Sequence, residues 1–156
     1  MKRCSFLLVF LLLAPTAYAE KAPDFTLQGR TGKVRLSSLK GRVVYVDFWA
    51  SWCVPCRKSF PWMNEIEKQF GPKGLTVIAI NVDKGGGAAD AFLKDYPPVF
   101  KIAFDPSGAV AESYGVWTMP SSYLIDKKGN LRYAHKGFFD EGKDAIVAEI
   151  VELLAK

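Results

Sequence analysis

Two cysteines with two residues between them, Cys53-Val54-Pro55-Cys56, are the part of this chain best suited to chemistry. They follow the apolar run Val43-Val44-Tyr45-Val46-Asp47-Phe48-Trp49-Ala50 and precede a stretch with helical periodicity, which predicts both thiols at a strand-to-helix junction. A helix start presents unpaired N–H groups and the positive end of the macrodipole, so a cysteine there ionises below its free value of about 8.5. The thiolate is the form that attacks a disulfide in another protein. A second cysteine one helical turn further on can then resolve the mixed disulfide. Val54-Pro55 leaves the intervening dipeptide uncharged, and a proline early in the helix gives up an N–H that has no intrahelical partner there.

The first 19 residues bear on where that chemistry would operate. Lys2 and Arg3, the apolar stretch Phe6 to Leu13 and the small-residue pattern Ala17-Tyr18-Ala19 read as a signal peptide cleaved before Glu20. The apolar stretch falls short of the ~20 residues that cross a bilayer, and an uncleaved anchor is the alternative. Cys4 precedes the apolar stretch, whereas a lipidated cysteine would follow it, and cleavage would remove Cys4. The 156 residues less these 19 leave 137, enough for one domain, residues 20–156, with a core of its own. Two cysteines remain, and a bridge closing so short a loop restrains the unfolded chain little, which argues against a purely structural staple. Loss of Lys2 and Arg3 takes the formal net charge from +5 to +3. The basic residues are scattered, with no run interleaved with aromatics, so no nucleic-acid partner is expected.

The elements that must position the pair read as alternating strands and helices. Residues 25–28 and 33–36 flank Gly29-Arg30-Thr31-Gly32 as a hairpin, and residues 42–49 form a central strand apolar on both faces. Residues 57–70 carry Phe60, Met63, Ile66 and Phe70 at spacings of three and four, a helix stopped by Gly71-Pro72 and expected to bend near Pro61. Residues 75–82 read as a second buried strand, 88–96 as a helix ended by Pro97-Pro98, 101–104 as a strand and 109–114 as a short helix. A second hairpin spans 122–126 and 131–135, and a helix over 142–156 places Ile146, Ile150, Val151 and Leu154 on one face.

The chain resembles the thioredoxin superfamily, and more narrowly its exported TlpA/ResA-like branch. Three stretches carry the resemblance: Val46-Asp47-Phe48-Trp49-Ala50-Ser51-Trp52-Cys53-Val54-Pro55-Cys56, Val77-Ile78-Ala79-Ile80-Asn81-Val82-Asp83, and Met119-Pro120-Ser121-Ser122-Tyr123-Leu124-Ile125-Asp126. The resemblance implies an α/β thioredoxin-like fold: a central mixed β-sheet flanked by helices, with an N-terminal β-hairpin and an inserted segment. It implies an exposed attacking Cys53, a buried resolving Cys56 and a cis-proline at Pro120. The backbone at Met119 would pair with an extended substrate segment, and Trp52, Val54, Pro55, Thr118 and Met119 would line the substrate-binding surface. Trp117 is a further candidate for contact with partners.

Asp47 occupies the position of a buried aspartate in thioredoxin itself, whereas the branch usually has an uncharged residue there. A carboxylate in an apolar strand favours its neutral form, so Asp47 is a candidate to exchange a proton with Cys56. The lysine that partners it in thioredoxin falls at Ala79. Many branch members have a glutamate where this chain has Ser59, which leaves that acid–base task to Asp47 or to water.

The function implied is that of a periplasmic thiol:disulfide oxidoreductase acting as a reductant of selected protein disulfides. Apocytochrome c haem-site cysteines and copper-site thiols are the substrate types of the branch, and a membrane electron donor of the DsbD/CcdA type would recharge the pair. No cofactor and no metal are expected, and the expected state is a monomer. Two alternatives stay open: an exported copper-binding metallochaperone, and a disulfide oxidase or isomerase using the same pair. Copper chaperones of this fold space their cysteines by three residues, whereas two intervene here. Covalent haem attachment would require histidine at position 57, where Arg57 stands, and a structural zinc site would require more than two cysteines and His135. The Thr/Ser-x-x-Cys context of a peroxiredoxin-type peroxidase is missing.

Overall fold

Residues Val43–Trp49 form a strand, here β3, in which all seven positions are buried because successive side chains enter two different apolar layers. Val43, Tyr45 and Trp49 point into one, and Val44, Val46 and Phe48 into the other. This is seen in a computed structural model that describes residues 20–85 and 87–156. The expected signal segment, residues 1–19, lies outside the described residues.

Strands β1 (Thr26–Gly29), β2 (Gly32–Arg35), β4 (Leu75–Asn81), β5 (Lys101–Phe104), β6 (Ser121–Ile125) and β7 (Leu131–Lys136) join β3 in a seven-stranded sheet of order β2-β1-β5-β4-β3-β6-β7. β3, β4 and β5 run parallel, and the remaining neighbours pair antiparallel. Helices α1 (Cys56–Phe70), α2 (Ala88–Asp95) and α4 (Lys143–Ala155) contribute to the core on the Tyr45/Trp49 face. The opposite face is covered by α3 (Ala109–Ser113), Phe25, Leu36 and Tyr114. The α/β architecture, with a leading hairpin and the α2 segment between β4 and β5, is the one expected.

Several boundaries differ for physical reasons. The first hairpin turns on Arg30-Thr31 alone, since Gly29 and Gly32 pair across the strands. Gly32 has φ 124°, a conformation open to glycine. A Cβ on Gly29 would come within 2.7 Å of backbone oxygens of Gly32 and Ile102, so β1 can lie against β5 only with glycine there. In α4 the buried stripe is Ile146, Ile150 and Leu153, spaced i, i+4, i+7; Ile146 and Ile150 lie as expected, and Leu154 packs against the core partly buried. Val151, five residues after Ile146, falls on the outer face and is half exposed.

Candidate active site

The carboxyl ends of the parallel strands β3 and β4 lie side by side, with Trp49 paired to Asn81. The chain leaves β3 there, passes through Ala50 to Pro55 and enters α1 at Cys56. The turn is closed by backbone hydrogen bonds from Cys53 N–H to Ala50 O and from Arg57 N–H to Val54 O. Cys53 and Cys56 are joined in a disulfide with an S–S distance of 2.07 Å. The Cys56 N–H donates to Cys53 Sγ at 3.3 Å. That donor is one of the unpaired groups of the helix start, aimed at the sulfur on which negative charge would develop.

Cys53 differs from the expectation of an exposed sulfur: it is 2% exposed, against 0% for Cys56. Its short side chain is turned inward by the bond to a buried partner, and the exposed surface of the motif belongs to Trp52 (68%) and Val54 (65%), with Pro55 also exposed. Arg57 and Lys58 are solvated on the first turn of α1. Ser59 is buried, and its hydroxyl donates to the carbonyl of Cys56 at 3.2 Å.

Met119–Pro120 is a cis peptide immediately before β6. Pro120 is buried, Met119 half-buried, and Thr118 and Trp117 are exposed, Trp117 almost fully. The segment is tied down on both sides: Ser121 Oγ donates to Thr118 O at 2.8 Å, and Gly137 N–H donates to Pro120 O at 2.8 Å. Gly137 has φ 77°, in the left-handed region that favours glycine.

Asp47 is 1% exposed, and its Oδ2 has no hydrogen-bond partner. Alternation along β3 turns it to the face that also holds Tyr45, Trp49 and Cys56. Burial pushes its carboxyl well above the usual carboxylate range. Tyr45 is likewise pushed up, first by burial and next by the charge of Asp47. Behind the disulfide, Phe60 stacks edge-on to Trp49 (4.9 Å), Phe92 (4.9 Å) and Phe100 (5.3 Å), which joins α1 to α2 through an aromatic cluster.

The sequence reading missed Asp83. Its carboxylate accepts from Ser51 N–H at 3.0 Å and from Asn81 Nδ2 at 2.9 Å, and its own N–H donates to Asn81 Oδ1. It therefore fastens the loop that carries the cysteines to the end of β4. The signal was present, since polar residues directly after a buried parallel strand fall at the carboxyl edge of the sheet, where sites in α/β sheets form. The contacts of His135 with Ser122 Oγ at 3.4 Å and with the Glu149 carboxylate at 2.8 Å were not legible in the sequence, because they depend on pairing of β6 with β7 and on the placement of α4.

Among the described residues no group of three or more His, Cys, Asp and Glu side chains is arranged to hold a metal ion, and no helix is long and apolar enough to cross a membrane.

The arrangement has close counterparts in known proteins. Residues 18–134 match the model of the AhpC/TSA family. The thiol-disulfide oxidoreductase ResA of Bacillus thuringiensis subsp. konkukian is 38% identical over 119 residues, 76% of this chain and 69% of that protein. The crystal structure of a thiol:disulfide interchange protein DsbE from Chlorobium tepidum superposes with a TM-score of 0.85 at 48% identity, covering 87% of this chain and 96% of that one. The exposed lipoprotein thioredoxin Etrx1 of Streptococcus pneumoniae gives a TM-score of 0.71 at 39% identity, covering 84% of this chain and all of that one. With its thioredoxin-like fold and its Cys53–Cys56 pair, the chain belongs to the AhpC/TSA family and is a thiol-disulfide oxidoreductase of the ResA and DsbE kind.

Proposed function

We propose that residues 20–156 form one exported domain that reduces selected protein disulfides in the periplasm. The observation that carries this reading is the Cys53–Cys56 disulfide at a helix start, with the exposed apolar side chains Trp52 and Val54 on either side of Cys53 in the chain and exposed Trp117 two residues before the cis-bonded Met119. Exposed aromatics around a reactive sulfur suit a protein surface better than a small thiol.

In the reducing half-cycle the Cys53 thiolate attacks a substrate disulfide, forming a mixed disulfide and releasing one substrate thiolate. Asp47 in its carboxylate form takes the proton of Cys56, and the Cys56 thiolate attacks Cys53 Sγ. The bond between Cys53 and the substrate breaks, the second substrate thiolate leaves, and the electron pair of the dithiol has passed to the substrate. The substrate backbone lies along Met119-Pro120 as an added strand, flanked by Thr118, Val54 and Pro55. Recharging takes two electrons from a membrane donor of the DsbD/CcdA type. Apocytochrome c and copper-site proteins are the substrates this reading favours, and the domain works as a monomer.

The test is a trap. Cys56→Ser should accumulate mixed disulfides with its substrates while Cys53→Ser accumulates none. Equal accumulation by both variants would overturn the assignment of attacking and resolving roles.

A further inference from the structure

Strand register places four side chains in one row on the α1/α4 face of the sheet. Ala79 on β4 faces Asp47 on β3, Asp47 faces Ser122 on β6, and Ser122 faces His135 on β7. Directly opposed residues of antiparallel strands keep their Cβ atoms about 4.5–5.5 Å apart on the same side. Asp47, Ser122 and His135 therefore make a polar line through a layer otherwise built from Tyr45, Trp49, Val77 and Leu124.

Glu149 of α4 closes the outer end of this line, its carboxylate oxygen 2.8 Å from His135 Nε2. His135 Nδ1 lies 3.4 Å from Ser122 Oγ. The His135 and Glu149 side chains are 22% and 23% exposed, so the line runs from a buried carboxyl to water. Packing alone gives no reason for three consecutive polar positions in one register of an apolar layer.

We propose that His135 and Glu149 are positioning residues of the dithiol cycle: their charges act along the Ser122 register on Asp47 and set the pH at which it takes the Cys56 proton. This rests on the acid–base reading of Asp47. His135, when it carries a proton, favours the Asp47 carboxylate and an anion at Glu149 opposes it, so the pair holds two levers of opposite sign on one proton. β3 and β7 are separated by two strand spacings, roughly 10 Å. At that separation one charge in a protein interior moves a titration by about 0.5–1 pH unit.

The other groups facing the line are accounted for. Tyr45 on β3 is pushed up by burial, the Asp47 charge and Glu149, against a smaller lowering by its side-chain contact with Ser122, and so stays neutral. Tyr133 on β7 donates to Glu152 of α4 at 2.7 Å, and Lys156 pairs with the same carboxylate, which leaves Glu152 engaged away from His135. Ala79 supplies no charge from β4, and from α1 the facing titratable group is Cys56.

The experiment is the pH profile of oxidation of the reduced protein by excess glutathione disulfide, followed by tryptophan fluorescence in stopped flow. His135→Gln should move the inflection assigned to Asp47 up by about 0.5–1 pH unit, and Glu149→Gln should move it down by a similar amount. His135→Lys, which restores a cation, should bring it back toward wild type. In an Asp47→Asn background neither substitution should move the profile. Unchanged profiles in both single variants, or shifts of the same sign, overturn the proposal and leave the role of Asp47 standing if Asp47→Asn alone alters the profile. If Asp47→Asn changes nothing, the acid–base reading fails and the proposal with it.

Discussion

Asp47 and Ala79 stand directly opposite each other on β3 and β4, so a buried carboxyl meets a methyl group where thioredoxin has a lysine. With no cation beside it, desolvation governs its titration. The carboxyl stays protonated to a higher pH in the folded protein than in the unfolded chain.

Stability should therefore depend on pH in a definite direction. From about pH 3.9, where a free aspartate titrates, up to the raised pKa, the folded state holds one proton more than the unfolded state. The contribution of the protonated carboxyl is full below that range and is lost as pH rises through it, at up to about 1.4 kcal/mol per pH unit. Asp47→Asn removes this slope. Urea unfolding of the oxidised protein should show the variant gaining on wild type from pH 5 to pH 8. A constant difference would contradict the account of Asp47.

Asp83 holds the cysteine-bearing loop through Ser51 N–H and Asn81 Nδ2. Asp83→Ala strands two partly buried donors and should cost about 1–3 kcal/mol in urea unfolding. Asp83→Asn keeps an acceptor and should cost less. Equal losses in the two variants would show that the carboxylate charge, rather than the hydrogen bonds, secures the loop.

Trp117 is 91% exposed, so its removal leaves the core untouched. Fewer than about 30% of interface residues cost more than about 1 kcal/mol when truncated, and tryptophan is enriched among them; such a loss is roughly fivefold or more in affinity. Trp117→Ala should raise KM for a protein disulfide by that factor and leave the reduction of a small aromatic disulfide unchanged. Equal losses on both substrates would place the effect on the cysteines rather than on docking.

Most of the scaffold was legible because its strands are long apolar runs and its turns carry glycine and proline. β5 was read at Lys101–Phe104 and observed there, since Pro97-Pro98 and Asp105-Pro106 bracket it. The redox pair was legible because its function requires adjacency in sequence. The line from Asp47 to Glu149 was not, because its successive members sit 13 to 75 positions apart and meet only after β6 has paired with both β3 and β7. The stripe on α4 was misread in including Val151, which faces outward, and omitting Leu153, seven residues after Ile146, because apolar residues stand on both sides of the true stripe.

The central claim is that the Cys53–Cys56 pair donates electrons to protein disulfides, and its reduction potential measured by equilibration with glutathione tests this most directly. The account predicts a value toward the thioredoxin end of the range, about −270 mV. A value near the DsbA end, about −120 mV, would make the pair an oxidant and contradict it.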